Sequence, residues 1–583
     1  MTLCQLTVGE RSFPHVLIGC VSQNWFQARK HQSGKFKKGT ERPVRFGSTR
    51  NWQICLTKES VEMHYDYIIV GAGSAGCIIA TRLTENPNVS VLLIEAGPDY
   101  PEIENLPEEV KLGYATEIDI STSKHNWQYK ARGTDDAEIM VPRGKVTGGS
   151  SAINAQIFLR GIPDDYDQWA DAGNDRWAYQ DLAPYFNKIE TDMTYRDDPG
   201  DFHGSEGPII CHRFPRNEWP EATLAFEAAT LEAGFPYCED ANAPGTTGVG
   251  PLPFNNPNGI RWSTSIGYLG MSRHRLNLTI RADVTVKRVL MKPGSDNPRA
   301  YAVEAESGGQ GFIVEAGEII LAAGAVATPQ LLMLSGIGPS DHLKEHGIPT
   351  VKNSPGVGQN LRDHPLFLVT WYTKPEVVLD HLSPRTQLTL RYTADGSSLN
   401  NDMIVYYNVA TNERPERGGK RAAPHGIGAT LALNLAKGKG ELKLNSPDYR
   451  VQPYIDYNYL EEEEDRRRVR DGIRMLVGLE KHDQLKKLIK SRKSPLDSDL
   501  ESDHNLNAWM RRDVTTGHHI SGTAKMGPDN DAMAVVNQFG RVYGVNGLRV
   551  ADASIMPDCI RANTNVTVMV IGERMADLIK EGK

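Results

Sequence analysis

The chain has no run of apolar residues approaching the ~18–20 that a bilayer-crossing helix needs, which speaks against an integral membrane protein and leaves peripheral attachment open. It has no CxxC pair, and its seven cysteines fall at irregular spacing. Neither a zinc site nor a disulfide framework is indicated, and a reducing compartment, most simply the cytoplasm, fits that usage. It also has no excess of positive charge: a formal net charge of −8 argues against a generic nucleic-acid surface, which requires clustered cations. What it does have is enough material for a core, since 39% of residues are hydrophobic and 24% charged, without the bias that keeps chains disordered.

At 583 residues the chain exceeds what one hydrophobic core usually supports, so two or more domains, built from interleaved segments, are expected. Residues 1–62 stand apart. They hold Cys4, Cys20 and Cys55, carry more Lys and Arg than Asp and Glu, and show no periodicity. Two readings stay open for them: a basic organelle-targeting peptide, or a stretch upstream of a start at Met63.

The strongest local signal begins at Tyr65. Tyr65-Asp66-Tyr67-Ile68-Ile69-Val70 reads as a buried strand leading into Gly71-Ala72-Gly73-Ser74-Ala75-Gly76, then a helix to about Asn86, then a second strand from Val89 to Ile94 that ends at Glu95. In such a unit Gly71 permits the tight turn, Gly73 lets backbone approach a pyrophosphate, and Gly76 lets helix pack on strand. The helix N-terminus faces the phosphates. Glu95, roughly 20 residues on, is placed to accept from ribose hydroxyls and disfavours a 2′-phosphate. Strand, loop, helix, strand and terminal acid together indicate dinucleotide binding, without choosing FAD over NAD.

Two further motifs make that choice. Pro142-Arg143-Gly144-Lys145-Val146-Thr147-Gly148-Gly149-Ser150-Ser151-Ala152-Ile153-Asn154 and Gly324-Ala325-Val326-Ala327-Thr328-Pro329-Gln330-Leu331-Leu332-Met333-Leu334-Ser335-Gly336-Ile337-Gly338 resemble the two signatures of the glucose-methanol-choline (GMC) oxidoreductases, a family that includes choline dehydrogenase and many alcohol oxidases. Pro355 to His364 resembles a third recurring segment. The resemblance runs from about Tyr65 to the C-terminus. It implies FAD, and an α/β protein (α+β overall) whose Rossmann-type FAD-binding domain is joined to a discontinuous substrate-binding domain on an antiparallel sheet.

By this resemblance residues 65–365 carry the FAD-binding domain, 370–510 mostly the substrate domain, and 511–583 the catalytic segment that completes the FAD domain. The same resemblance gives Gly149 and Asn154 to the flavin side, the Val284 backbone to the adenine, and Asp552 with Ala553 to the pyrophosphate and ribityl region. Ile153 stands where some members attach FAD through a histidine, so the cofactor is expected to be non-covalent.

Oxidising an alcohol requires a base for the hydroxyl proton and an acceptor for hydride. Histidine suits the first role because its ordinary pKa near 6.5 leaves much of it neutral at physiological pH. His518-His519-Ile520-Ser521-Gly522-Thr523-Ala524-Lys525-Met526-Gly527 resembles the family's catalytic segment and implies His519 as base; if the pair is extended, only one of the two rings faces the flavin. In Asn563-Thr564-Asn565-Val566-Thr567 the resemblance implies Asn565 as donor to the substrate oxygen, while its bland role is a helix cap for a final helix from Val566 to Ile579. That helix's dipole would favour anionic reduced flavin. Asp558 to Ala562 departs from the family pattern, so the shape of that loop is open. No metal site is expected, since no third ligand joins the histidine pair at regular spacing.

Three features read as structural. Arg261-Trp262-Ser263 through Leu269 is taken as packing, Glu461 to Arg470 as a solvated helix start with i,i+4 ion pairs, and Arg414 to Arg421 as a mobile loop. The expected function is FAD-dependent oxidation of a small-molecule alcohol, with oxygen, a quinone or a protein as electron acceptor. Alternatives are a non-redox family member such as a cyanohydrin lyase with structural FAD, or a catalytically silent flavin-binding protein. A quaternary ammonium substrate would need an aromatic cage or a carboxylate.

Overall fold

The run after residue 63 folds as expected: its apolar residues make the strand His64–Val70, fully buried over its last three residues, and the helix Ser74–Leu83 follows at once. The structure is a computed structural model describing residues 64–583 except 115, 117, 293–297, 381 and 412–423. The atypical segment 1–62 and the loop Arg414 to Arg421 lie outside the described residues.

One sheet is organised around that opening strand. It pairs in parallel with Val91–Ile94 on one side and with Gln310–Leu321 on the other; Leu278–Arg281 and Leu548–Val550 extend the parallel part, and Thr285–Lys292 with Arg299–Ser307 add an antiparallel flank. The strand carrying Ile319, Ile320 and Leu321 is buried on both faces, as a central parallel strand must be. The first glycine turn and the second signature therefore emerge side by side from neighbouring strand ends, the place where open α/β sheets bind ligands.

The second sheet is antiparallel throughout, in the order Ile489–Ser494, Pro365–Thr373, Gly426–Leu433, Met403–Thr411, Thr386–Tyr392, Gly248–Pro251, with Thr515–Thr516 pairing on the start of Pro365–Thr373. Its strands come from widely separated parts of the chain. The short pairing at Pro365 and Thr516 continues through Gly517 N–H to His364 C=O (2.7 Å) and the reciprocal Arg362–Ser521 pair, drawing residues 360–364 and 515–521 into one ribbon.

The final helix, Thr564–Lys580, packs against the first. Gly572 allows the contact, because a Cβ there would lie 3.1 Å from Ala75 Cα. The fully buried Glu573 accepts from Arg82 across that interface, and from Tyr268 and Lys188 on neighbouring elements, leaving no carboxylate charge uncompensated. One expectation is corrected here. In the helix Glu463–Leu479 the ion pairs are chiefly i,i+3, and Arg468 and Arg470 are buried rather than solvated; Arg468 bridges Asp402 and Asp465 and ties the helix to the antiparallel sheet. Among the described residues no helix is long and apolar enough to cross a membrane.

Candidate active site

A cavity of about 630 Å³ opens where the strands of the parallel sheet end, within the range of cofactor sites. Gly71, Gly73, Ser74, Ala75, Glu95, Gly149, Asn154, Val284, Asp552 and Ala553 border it, as do His518, His519, Asn563 and Asn565. Gly76 lies behind it, where a Cβ would sit 2.0 Å from the Gly71 carbonyl oxygen. The first helix could not close on its strand with any larger residue there.

At one end the glycine turn and the GGSS segment touch. Gly149 has φ +54°, and a Cβ on it would meet Gly73 Cα at 2.6 Å; Gly148 N–H donates to Ala72 C=O at 2.7 Å. Gly73 itself has little beside it, with no atom nearer than 3.8 Å to a would-be Cβ, so backbone is bared to the cavity. Glu95 accepts from the Ala72 and Gly97 N–H groups (3.0 and 2.9 Å), and burial pushes its carboxyl up to about 7 against those bonds. Ribose hydroxyls donating to its remaining lone pairs would favour the carboxylate.

Other cofactor-side residues are fixed by partners of their own. Asp552 accepts from Gly324 N–H, Thr328 Oγ1 and Ser554 N–H, which ties the second signature to the C-terminal segment and leaves backbone, rather than its carboxylate, to meet a ligand. Val284 N–H donates to Glu95 C=O at 2.9 Å, so the carbonyl is what its backbone can offer. Asn154 accepts from Gln156 N–H, and its carbonyl receives Arg261 Nε. Arg261, expected as packing, is buried and also donates to the carbonyls of Glu109, Val110 and Ala152, tying the short helix Glu108–Lys111 to the GGSS segment at the cavity wall.

At the other end His519 is partly open to the cavity. Its Nε2 lies 3.1 Å from Asn563 Nδ2 and its Nδ1 2.9 Å from His364 Nδ1. Withdrawal from water, then the neighbouring His364, His518 and Arg143, hold its pKa well below the usual histidine value. A neutral imidazole whose Nε2 carries no proton can accept one. His518 adopts a left-handed φ of +63°, so the pair is not extended as a strand; the ring of His518 is exposed, its carbonyl receives Arg143 Nη1 at 2.8 Å, and both residues border the cavity.

The amide beside His519 is Asn563, not Asn565. The helix begins at Thr564 with Asn563 as its N-cap, and the Asn563 side chain makes no capping bond; it receives Tyr406 OH on Oδ1 at 3.0 Å, which turns Nδ2 toward His519. Asn565 is therefore inside the first turn and is not the cap. Its Oδ1 receives Ser74 Oγ at 2.8 Å, and its buried Nδ2 has no hydrogen-bond partner. Asn563 lay unread in a motif already singled out, two residues upstream. Tyr406 carried no local signal, since it faces Asn563 only through the antiparallel sheet.

This architecture fits FAD on three structural grounds: backbone bared at Gly73, a buried amide donor at Asn565 without a partner, and two helix N-termini, at Ser74 and Thr564, converging on one cavity. A separate buried group, Glu190, Asp192 and His203, has ligand-like spacing, but Arg160, Arg213 and Asp240 already pair with it, as charge balance requires.

Comparison with known proteins agrees. The N-terminal GMC oxidoreductase family model matches residues 65–366 and the C-terminal one 436–572. Oxygen-dependent choline dehydrogenase 1 of Chromohalobacter salexigens is 37% identical over 547 residues, 88% of this chain and 95% of that one. The oxygen-dependent choline dehydrogenase of Yersinia pseudotuberculosis is 36% identical over 89% and 94% respectively. Among solved structures, pyridoxine 4-oxidase from Mesorbium loti superposes with a TM-score of 0.80 at 29% identity, covering 89% of this chain and 99% of that one; a formate oxidase gives 0.79 at 28%, covering 89% and 99%. Glycine cradle, histidine with its amide and the extent of these matches converge: the chain belongs to the GMC oxidoreductase family, the FAD-dependent oxidoreductases that act on CH–OH groups.

Proposed function

We propose that this protein oxidises a small primary alcohol to the aldehyde, with His519 as base and Asn563 as donor to the substrate oxygen. The observation that carries the proposal is the 3.1 Å approach of His519 Nε2 and Asn563 Nδ2 at the cavity wall. A hydroxyl placed against both loses its proton to Nε2 while Nδ2 steadies the oxygen on which charge develops. Bound FAD supplies the hydride acceptor. Preorganisation comes from the protein: Asp363 Oδ1 holds the His519 backbone at 2.7 Å and Tyr406 holds the amide oxygen, so both groups stand in place before charge forms.

Ser74 and Asn565 belong to the cofactor side, where the two helix N-termini favour anionic groups. The cofactor is held non-covalently, since Ile153 borders the cavity without a nucleophilic nitrogen. We assign residues 370–510 mostly to the substrate domain and 511–583 to completion of the FAD domain. Choline is the first substrate to try, on the relatives' names, and pyridoxine the second.

The test is anaerobic mixing of the purified holoprotein with choline, pyridoxine and a panel of primary alcohols, following the flavin absorbance. At least one alcohol bleaches the flavin, and His519→Ala slows bleaching by about 10²–10⁴. Wild-type bleaching in His519→Ala would remove the assigned base. Flavin that stays yellow with every alcohol would favour the non-redox lyase. Acid denaturation followed by filtration releases the FAD.

A further inference from the structure

His519 is one of a pair of imidazoles. His364, 1% exposed, meets it Nδ1 to Nδ1 at 2.9 Å, with the rings edge to face and centroids 4.9 Å apart, and its own Nε2 lies 3.1 Å from Cys559 Sγ. Asp363 binds both: Oδ1 accepts the backbone N–H of His364 (2.8 Å) and of His519 (2.7 Å), while Oδ2 accepts Tyr459 OH (2.7 Å) and the Thr516 hydroxyl. Partners 155 residues apart in sequence are thus held rigidly by the ribbon joining residues 360–364 to 515–521.

The hydrogen bonds fix where the protons are. Tyr406 OH occupies Asn563 Oδ1, so Asn563 presents N–H to His519 Nε2, and that nitrogen is bare. A neutral His519 then carries its proton on Nδ1 and donates it to His364 Nδ1, which must be bare in turn. His364 carries its proton on Nε2, directed at Cys559 Sγ. The chain reads in one direction, from Tyr406 to Cys559.

Charge around the two rings differs. His519 faces His364, His518 and Arg143, all of which oppose a positive charge on it. His364 has Asp363 and Asp558 favouring its charged form and Arg362 opposing it, with Arg362 itself paired to Asp558 at 2.6 Å. We propose that the proton taken by His519 does not leave an imidazolium there: as Nε2 gains the substrate's proton, the Nδ1 proton passes to His364 Nδ1, and the positive charge resides on His364. This rests on the reading of His519 as base. The substrate O–H bond breaks and the His519 Nε2–H bond forms; the His519 Nδ1–H bond breaks and the His364 Nδ1–H bond forms. No electron moves in the relay.

The consequence is chemical. After transfer the alkoxide faces a neutral N–H instead of an imidazolium, so its proton is less readily returned and loss of hydride is favoured. Burial holds both imidazoles below the usual value, His519 well below it, consistent with the first proton settling on His364. His364 is a positioning residue, because it acts through His519 and not on the substrate.

The experiment is ¹⁵N NMR of the histidine-labelled holoprotein titrated with acid, with the two resonance sets assigned by His364→Gln and His519→Gln. At alkaline pH His519 shows the Nδ1–H and His364 the Nε2–H tautomer, and on acidification the imidazolium pattern arises first on His364. Its arising first on His519 overturns the relay. Flavin bleaching by whichever panel alcohol is active supplies the second arm: His364→Gln lowers the limiting rate about tenfold and moves the acid limb of its pH profile, with KM within about threefold. An unmoved acid limb overturns the relay as well. If His519→Gln bleaches as wild type does, the base assignment is what fails; if it is inactive while His519 takes the first proton, the relay alone fails.

Discussion

Replacing Asn563 by alanine tests the geometry of the site most directly, because sequence and structure point to different asparagines. The Asn563 amide meets His519 Nε2 at 3.1 Å, whereas the Asn565 amide is turned to Ser74 at 2.8 Å. A preorganised donor to a developing oxyanion is worth about 2.7–4 kcal/mol, or roughly 10²–10³ in rate. Asn563→Ala should therefore cut the limiting rate of anaerobic bleaching by about that factor, with FAD still bound. It also strips Tyr406 OH of its acceptor, about 1 kcal/mol of stability, read as a lower Tm. Asn563→Asp keeps the shape but sets a carboxylate beside Nε2, which raises the pKa of His519 and moves the acid limb to higher pH. Asn565→Ala reads first as weaker FAD retention, since it loses the bond to Ser74 at the start of the first helix. The reasoning is refuted if Asn563→Ala bleaches within about threefold of wild type while Asn565→Ala, saturated with FAD, loses a hundredfold.

Four further outcomes follow from the same geometry. Because the pKa of His519 is lowered, its neutral form persists below pH 6.5, so kcat/KM should stay flat through that value and fall only at lower pH; a limb centred at or above 6.5 would contradict its burial and its cationic neighbours. The linked stability has the same sign, since the unfolded chain binds more protons between the folded pKa and about 6.5, so Tm should drop as pH falls through that window and be unaffected above it by this group. Gly149→Ala places a Cβ 2.6 Å from Gly73 Cα at positive φ, and the purified protein should be colourless or have greatly reduced flavin content; a fully loaded variant would contradict the contact. Arg561→Ala leaves the buried Asp165 without its 2.7 Å partner, which should cost about 3–5 kcal/mol in a denaturant melt, and Asp165→Asn combined with it should recover part of the loss.

Much of this was legible in the residues themselves. Tyr65 to Glu95 declared strand, turn, helix, strand and acid, because each of those elements is specified within a few residues: β-rich run, glycines, apolar periodicity, terminal carboxylate. His519 was singled out by the resemblance of its surrounding motif, and the fold brings it to the cavity. What the chain order could not show was pairing across it. Asn563 and Asn565 carry the same side chain two residues apart, and their roles separate only because the helix starts between them, sending one amide to Tyr406 and His519 and the other to Ser74. Arg468 and Arg470 look like a solvated face until Asp402, beside the antiparallel sheet, meets the first and the helix Asp503–Asp513 meets the second.

The sequence by itself declared the nucleotide-binding unit, since that rests on short-range geometry that local residue choice dictates; FAD and His519 as the proposed base entered through the resemblance of the later motifs to the GMC oxidoreductases. Tertiary structure alone decided which amide and which second imidazole surround His519. His364 and His519 meet because two short ribbons 155 residues apart hydrogen-bond to each other and share Asp363, a contact set by sheet register and not by any property of either segment alone.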